Sequence, residues 1–302
     1  MSTLVAVGSI AYDSLETPFG SRQRALGGSA VHFALAARLF TEVGVVGVVG
    51  DDFDGEPVLA ERGVDTTGIQ VVAGGTTFAW EGRYGYDLNV AETLDTRLGV
   101  FEHFDPELWP EHAAAPVLFL GDIVPDIQRK VRAQSQAGFV ALDSMNLWID
   151  IARDSLIAAM GEVDCVILND GEARQLTGEA TLTRAARAIA SYGPRIVVIK
   201  RGEYGAALFT EGGFFGVPGY PLEEVFDPTG AGDTFAGGCI GSLARDGGRV
   251  DAASLRRAIA HGSVLASLVV EKFGMRRLWE LSGADIEARR QAFLRLTDFH
   301  TI

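Results

Sequence analysis

The run Phe226-Asp227-Pro228-Thr229-Gly230-Ala231-Gly232-Asp233-Thr234-Phe235 joins a turn of small residues to a carboxylate and the start of an apolar helix pattern. Turn glycines let several backbone N–H groups converge on one spot, and a helix behind them adds the positive end of its dipole. A phosphate under attack requires that arrangement. The amides of Gly230, Ala231, Gly232 and Asp233 would form the anion hole, with Asp233 at its mouth as candidate base. Phe235, Ala236, Cys239, Ile240 and Leu243 supply the helical stripe, and Gly237 and Gly238 are expected to allow close packing against a sheet. A glycine-rich turn with Asp capping a helix would account for the same residues without chemistry.

Other chemistry-bearing groups follow apolar runs. Ile167-Leu168-Asn169-Asp170-Gly171-Glu172 sets an amide and carboxylates directly after a buried strand, at the edge of a sheet where α/β proteins bind ligands. An ordinary helix start, capped by Asn or Asp with Glu in the first turn, fits those residues equally. Lys200-Arg201-Gly202-Glu203-Tyr204-Gly205 ends another strand. There Gly202 and Gly205 permit close backbone approach to phosphate or ribose and Lys200 or Arg201 supplies positive charge, unless the segment is a plain β-turn. Asp13 follows the first apolar strand and Gly27-Gly28 precedes the first long helix pattern, which could bring all three to the edge that carries Asp233.

The elements that must hold these groups alternate. Short β-branched runs at 4–7, 43–49, 117–120, 139–142, 165–168 and 196–199 alternate with helix patterns at about 28–39, 55–63, 126–137, 150–160, 181–192, 232–246 and 251–272. The order predicts an α/β fold, a doubly wound and mostly parallel sheet with helices on both faces. Residues 74–104 break the rhythm with Thr, Tyr, Trp and Phe at alternating positions. Antiparallel strands are expected there, forming with residues 12–24 a small β lid inserted in one domain spanning 1–302. Phe78, Trp80, Tyr84 and Tyr86 would pack that lid onto the body or a second subunit, or stack on a sugar or nucleobase.

Bulk properties narrow the partners. The 302 residues are 47% hydrophobic, enough to bury a large core, and carry a net charge of -14 from 40 acidic and 26 basic residues. Nucleic acid and anionic membrane are therefore not expected partners. An anionic substrate must be held by local N–H groups, a metal ion and a few cations. Cys165 and Cys239 lie in apolar runs without metal-ligand spacing, and neither an export signal nor an apolar stretch of membrane-spanning length is recognised, so a cytoplasmic location is expected.

The segment from Asp227 to Asp233 resembles the D-T-x-G-A-G-D signature of the ribokinase-like, or PfkB-type, carbohydrate and nucleoside kinases, with Pro228 at a variable position. Weaker similarities recur in order at Asp13, Gly27-Gly28, Gly50-Asp51, Asn169 to Glu172 and Lys200 to Gly205, leaving only the last ~25 residues outside, where the helix-terminating signals fall. The resemblance implies the fold and lid described above, an ATP- and Mg²⁺-dependent phosphotransferase, and Asp233 as the group that takes the proton of the acceptor hydroxyl. It further implies that Asp13 holds acceptor hydroxyls, that Gly27 and Gly28 meet the sugar ring, that Asn169 touches phosphate and that Glu172 orients magnesium through water. His261 would lie near adenine. Asp227 and Thr229 match positions that in some relatives help bind a monovalent cation such as K⁺. His32 stands where the family commonly has an Asn facing the sugar, and Leu147 where relatives acting on acidic sugars have a basic residue before the tryptophan, so an acidic sugar is disfavoured.

The acceptor expected from these features is the hydroxymethyl group of a small sugar or nucleoside. A dinucleotide-binding dehydrogenase fails because Phe235 stands where G-x-G-x-x-G requires its last glycine, and no P-loop motif occurs. A non-catalytic nucleotide or sugar sensor on the same fold is the remaining alternative, although a sensor has no need of Asp233. An apolar lid face would also suit a homodimer.

Overall fold

A computed structural model describes residues 2–297. In chain order the elements are β1 (Leu4–Val7), β2 (Ala11–Thr17), β3 (Gly20–Gly27), α1 (Ser29–Ala37), β4 (Val43–Gly50), α2 (Glu56–Glu61), β5 (Val64–Val72), β6 (Phe78–Tyr84), β7 (Ala91–Arg97), α3 (Pro110–Ala113), β8 (Val117–Leu120), α4 (Pro125–Gln134) and β9 (Phe139–Asp143). The second half continues with α5 (Asn146–Ile151), α6 (Arg153–Met160), β10 (Cys165–Asn169), α7 (Asp170–Thr177), α8 (Leu182–Ala190), β11 (Ile196–Lys200), β12 (Ala206–Thr210), β13 (Gly213–Val217), α9 (Ala231–Arg245), α10 (Ala252–Val269), α11 (Arg276–Glu280) and α12 (Gly283–Leu296).

Nine strands form one sheet in the order β13-β12-β11-β10-β9-β8-β1-β4-β5. Pairing is parallel from β11 across to β5, because helices cross over both faces and bury the strands on two sides. Leu4, Ala6, Phe119, Ala141 and Ile167 face a core closed by α1, α9 and α10. Val5, Val7, Leu118, Leu120, Val140 and Val166 face the opposite core, closed by α4, α6, α7 and α8. The chain leaves β1 toward β4 on one side and later returns to β8 on the other, so the strand order reverses between β1 and β8. That switch point opens a crevice beyond the strand ends.

Some edges depart from the expected pattern. β5 extends the sheet past β4, and β12 and β13 add antiparallel strands beyond β11, a hairpin closing off the βαβ series. The helix expected at 150–160 is two short helices, because Ala152 leaves helical geometry at φ -141°. α12 is started by a reciprocal Ser282–Asp285 capping box and packs on α10. Among the described residues no helix is long and apolar enough to cross a membrane.

A second, four-stranded sheet in the order β3-β2-β6-β7 forms the lid. Its two hairpins are antiparallel as expected, yet β2 and β6 pair in parallel, since both leave the main sheet's C-terminal edge in the same direction. The 99–104 stretch belongs to the body instead. Phe101 stacks on Phe78 and on Phe104, which is buried in the core, so these rings anchor the lid's base.

The glycines of α9 serve helices rather than the sheet. A Cβ on Gly237 would lie 2.3 Å from the Phe33 carbonyl oxygen of α1, and one on Gly238 would lie 3.1 Å from the Gly262 α-carbon of α10. α9 is thereby clamped between two helices at backbone contact, and Phe33 stacks on Phe119 of the sheet at 3.9 Å between ring centroids. Gly237→Ala is expected to lower unfolding stability by ~1–3 kcal/mol through overpacking, measured as a shift in the urea midpoint. An unchanged midpoint would mean that α1 yields freely and does not fix the register of α9.

Candidate active site

The turn before α9 is shaped by glycine and left without a side-chain cap. Gly230 is the N-cap residue at φ 69°, a left-handed conformation, and offers no capping side chain, whereas α7, α10 and α12 each close their first turn with a capping box. The Ala231 amide is turned back to the Pro228 carbonyl, and the Thr234 amide donates to Gly230. Asp233's own amide points at its carboxylate. Among the four amides assigned to the anion hole, those of Gly230 and Gly232 therefore have no protein acceptor among the described residues.

Gly230 is required for a second reason. A Cβ there would come within 2.3 Å of Cε1 and Nδ1 of His32. His32 is buried beneath the turn, its Nδ1 has no partner among the described residues, and burial pushes its pKa down to about 4. The ring is thus a neutral support under Gly230, set below the turn and out of solvent.

Beside the turn stands Lys200, at the end of β11. Its Nζ lies 3.1 Å from where a Gly232 Cβ would be and 2.7 Å from Asp143 Oδ2, at the end of β9. Burial alone would push the lysine down, but the Asp143, Glu172 and Asp233 carboxylates outweigh it and raise it, so the ammonium stays charged. Gln128, fully buried in α4, donates from Nε2 to the carbonyls of Gly121 and Asp143 at 2.8 and 2.9 Å and ties the ends of β8 and β9 together.

Asn169 and Glu172 form both a helix cap and part of this cluster. Glu172 N–H donates to Asn169 Oδ1 at 2.8 Å, while Asn169 N and Nδ2 donate to the two Glu172 oxygens at 2.7 and 2.6 Å. Burial raises Glu172 to about 8 against the pull of Lys200. Asp233, half-buried, is raised to about 7 by burial and then by Asp143, with Lys200 opposing. Asp122, just past β8, accepts from Trp148 Nε1 at 2.7 Å and is raised to about 7 by burial and by Asp143.

At the acceptor end, Asp13 is buried and raised to about 7, by burial first and then by Asp227 and Asp233; the Gly28 amide opposes this. Gly27 makes room for that carboxylate, and Gly28 for a close crossing of backbone. A Cβ on Gly27 would sit 1.9 Å from Asp13 Oδ2, and one on Gly28, at φ 95°, would sit 2.5 Å from the Ser9 carbonyl oxygen.

Two regions reach the site from outside the sequence motifs. Tyr84, at the end of lid strand β6, has its hydroxyl 3.1 Å from Thr229 Oγ1, and burial raises it to about 12. Asn89, at the lid hairpin's tip, lies over Gly202, where a Cβ would meet its Oδ1 at 2.0 Å. The lid therefore spans both the signature turn and the turn after β11. Gly205, at φ 90°, faces the Val217 carbonyl and serves the β12–β13 side of that turn.

The structure does not bring His261 to the cluster. Its Nδ1 pairs with Ser242 Oγ at 2.8 Å and its ring packs on Phe40, while Ser242 lies about 18 Å along α9 from Gly230 at 1.5 Å per residue. Asp227 and Thr229 do not fit an open monovalent-cation site. Asp227 Oδ1 accepts the Thr229 amide at 2.9 Å and Oδ2 the Gly274 amide at 2.7 Å, the Thr229 hydroxyl meets Tyr84, and the nearby Val270 carbonyl accepts from Phe226 at 2.8 Å. They clamp the signature to the loop after α10.

Asp122 and Asp143 were not singled out as site residues from sequence. Their signal was position: each is the first ionisable group after an apolar strand, on the edge that carries Asn169 and Lys200. Among the described residues no three His, Cys, Asp or Glu side chains converge closely enough to hold a metal by themselves.

Comparison with known proteins agrees with this architecture. Residues 2–280 match the pfkB family of carbohydrate kinases. The chain is 32% identical over 282 residues to the cytidine kinase of Thermococcus kodakarensis, covering 91% of this chain and 98% of the relative. It is 30% identical over 271 residues to an ATP-dependent ribose-1-phosphate kinase of Halopiger xanaduensis, covering 86% of each. A Burkholderia thailandensis nucleoside kinase solved with inosine superposes with a TM-score of 0.79 at 22% identity, over 96% of this chain and 97% of that one. A putative ribokinase II from E. coli solved with ATP and Mg²⁺ gives 0.76 at 23% identity, over 97% of this chain and 100% of that one. The chain belongs to the pfkB family of carbohydrate kinases. It is a sugar or nucleoside kinase with the ribokinase-like fold.

Lys200→Met would strand the buried Asp143 carboxylate, and a loss of ~3–5 kcal/mol in unfolding stability is expected from urea titration. Adding Asp143→Leu should restore much of that stability while turnover stays low, because the cation beside Gly232 is still missing and a carboxylate of the cluster has gone with it. Restored turnover in the double variant would show that Lys200 acts only as the partner of Asp143.

Proposed function

We propose that this kinase transfers the terminal phosphoryl group of ATP to the hydroxymethyl group of a small sugar or nucleoside, with Asp233 as base and the 230–233 turn as anion hole. The observation that carries the reading is the placement of the half-buried Asp233 carboxylate in the first turn of a helix whose N-cap is a glycine, with the Lys200 ammonium close beside Gly232. Asp13, sharing the field of Asp233, is the acceptor for neighbouring hydroxyls.

Asp233 at about 7 is better matched to its task than an ordinary carboxylate, since a base near ambient pH combines availability with driving force. The acceptor proton passes to Asp233 as the oxygen–phosphorus bond forms, and the bond to the leaving ADP breaks. The Gly232 amide, the α9 dipole and Lys200 stabilise the charge on the moving phosphoryl oxygens. Lid residues Tyr84 and Asn89 exclude water that would otherwise compete as acceptor.

The donor set also fits Mg²⁺. Asp143, Glu172 and Asp122 are hard oxygen groups, and burial raises Glu172 and Asp122 in a cluster whose one lysine leaves the negative charge uncompensated. Mg²⁺ keeps several waters and takes its remaining ligands from phosphates, which agrees with the lack of a self-contained protein cage. Bound there, it would neutralise phosphate oxygens, with Glu172 reached through water.

Two outcomes test the reading. Asp233→Asn should retain ATP affinity by calorimetry and lose at least ~10² in kcat in an acceptor-dependent ADP-release assay. Near-normal turnover would remove Asp233 from the base role, and no turnover of wild type across pentoses, hexoses and nucleosides would favour a sensor. The base must be ionised and its pKa lies near 7, so kcat/KM of the wild type should fall as pH drops below about 7. Asp13, also near 7, adds to the same acid limb. A flat profile from pH 5 to 8, a window chosen as roughly ±1–2 units around that value, would contradict both assignments.

A further inference from the structure

The aromatic residues of the lid divide by what they touch. Phe78 is spent on Phe101, Tyr84 on Thr229, and Tyr86 is fully exposed. Trp80 remains. It pairs in register with Asp13 across the parallel β2–β6 ladder, so both side chains rise from the same lid face, one strand spacing of about 4.8 Å apart. Leu15 pairs with Gly82 in the same register and is buried, which identifies this face as the inner one.

Gly82 makes the pose of Trp80 possible. A Cβ there would lie 2.1 Å from the indole's Cη2, so the ring is laid flat over Gly82 along the lid, and its Nε1 is fixed to Thr93 Oγ1 at 3.2 Å on β7. No aromatic ring or cation of the described residues packs on its other face. A half-buried indole, held by one edge, presents a flat apolar surface beside the carboxylate assigned to the acceptor's hydroxyls.

The charges at this end restrict what can sit there. Asp13 is raised by burial, Asp227 and Asp233, and no lysine or arginine lies close enough to hold it down. A phosphorylated or acidic acceptor would place an unpaired anion against these groups.

We propose that the acceptor is an uncharged nucleoside whose base stacks on Trp80 while its ribose hydroxyls bond Asp13. The proposal rests on the kinase reading above and names its substrate class. A bare pentose or hexose spanning Asp13 and Asp233 leaves the indole uncovered, whereas a base attached to the ribose reaches it.

The test compares cytidine, uridine, adenosine, guanosine and inosine with free ribose and fructose, using wild type, Trp80→Ala, Trp80→Phe and Gly82→Ala. At least one nucleoside should have a KM well below that of either sugar. Its KM should rise about tenfold or more in Trp80→Ala, the scale of losing one base–aromatic stack, with kcat changed less than about threefold, and Trp80→Phe should recover most of the loss. Gly82→Ala should raise the same KM with Trp80 present, by lifting the indole from the lid. Without ATP, that nucleoside should quench tryptophan fluorescence in wild type and not in Trp80→Phe. Equal nucleoside KM in wild type and Trp80→Ala, or sugars preferred over every nucleoside, would overturn the proposal and leave the kinase standing. Absence of ADP release with all seven acceptors would instead overturn the kinase reading itself and this proposal with it.

Discussion

The burial of several carboxylates around one lysine at the C-terminal edge of the sheet is the constraint from which the site's other properties follow. Asp122, Asp143, Glu172 and Asp233 come from four separate strand ends or helix starts, and burial drives their pKa values upward. Isolated charges in such surroundings would be costly. Lys200 offsets part of that cost through its bond to Asp143, and the rest is left for what enters. A magnesium–nucleotide complex brings cation and phosphate together, so the protein has no need for a basic surface, which agrees with a chain of net charge -14.

Packing fixes this electrostatic arrangement. The signature turn hangs on α9, and α9 meets α1 and α10 at backbone distance because glycines face both. His32 lies under Gly230, and Asp227 pins the signature to Gly274, so the turn is held in shape from below and from one side without a ligand. Pre-formed donors cost no reorganisation when charge moves. The lid meets the same turn from above through Tyr84, so lid and signature are joined at Thr229.

Much of the α/β body was legible in the sequence because buried parallel strands carry unbroken β-branched runs and the helices between them show clear periodicity. β5, β12 and β13 were missed: their burial is partial, and polar residues and glycines interrupt the pattern. The turn before α9 was legible because its backbone demands glycine, with Gly230 left-handed and packed over His32, an unusual requirement that leaves a compositional mark. Asp122 left no such mark, since an aspartate after a strand is common and only the sheet brings it near Asp143. His261 was hard to place for the same reason: a histidine in an apolar helix gives its position along the axis but not its neighbour, which here is Ser242.

Sequence reasoning posed Asn169–Glu172 as either a helix cap or a ligand site, and Gly27–Gly28 as either a loop or a contact with substrate. The structure removes the opposition in the first case. The bonds that start α7 also fix both Glu172 oxygens in place, so the carboxylate stands near Lys200 in one orientation. In the second case Gly27 admits the Asp13 carboxylate against the backbone, while Gly28 admits the Ser9 carbonyl. In both places a local rule of backbone chemistry also fixes where a buried carboxylate stands. Substitutions at Asn169 or Gly27 therefore act on folding and on the site together, and a loss of activity there would not by itself reveal contact with substrate.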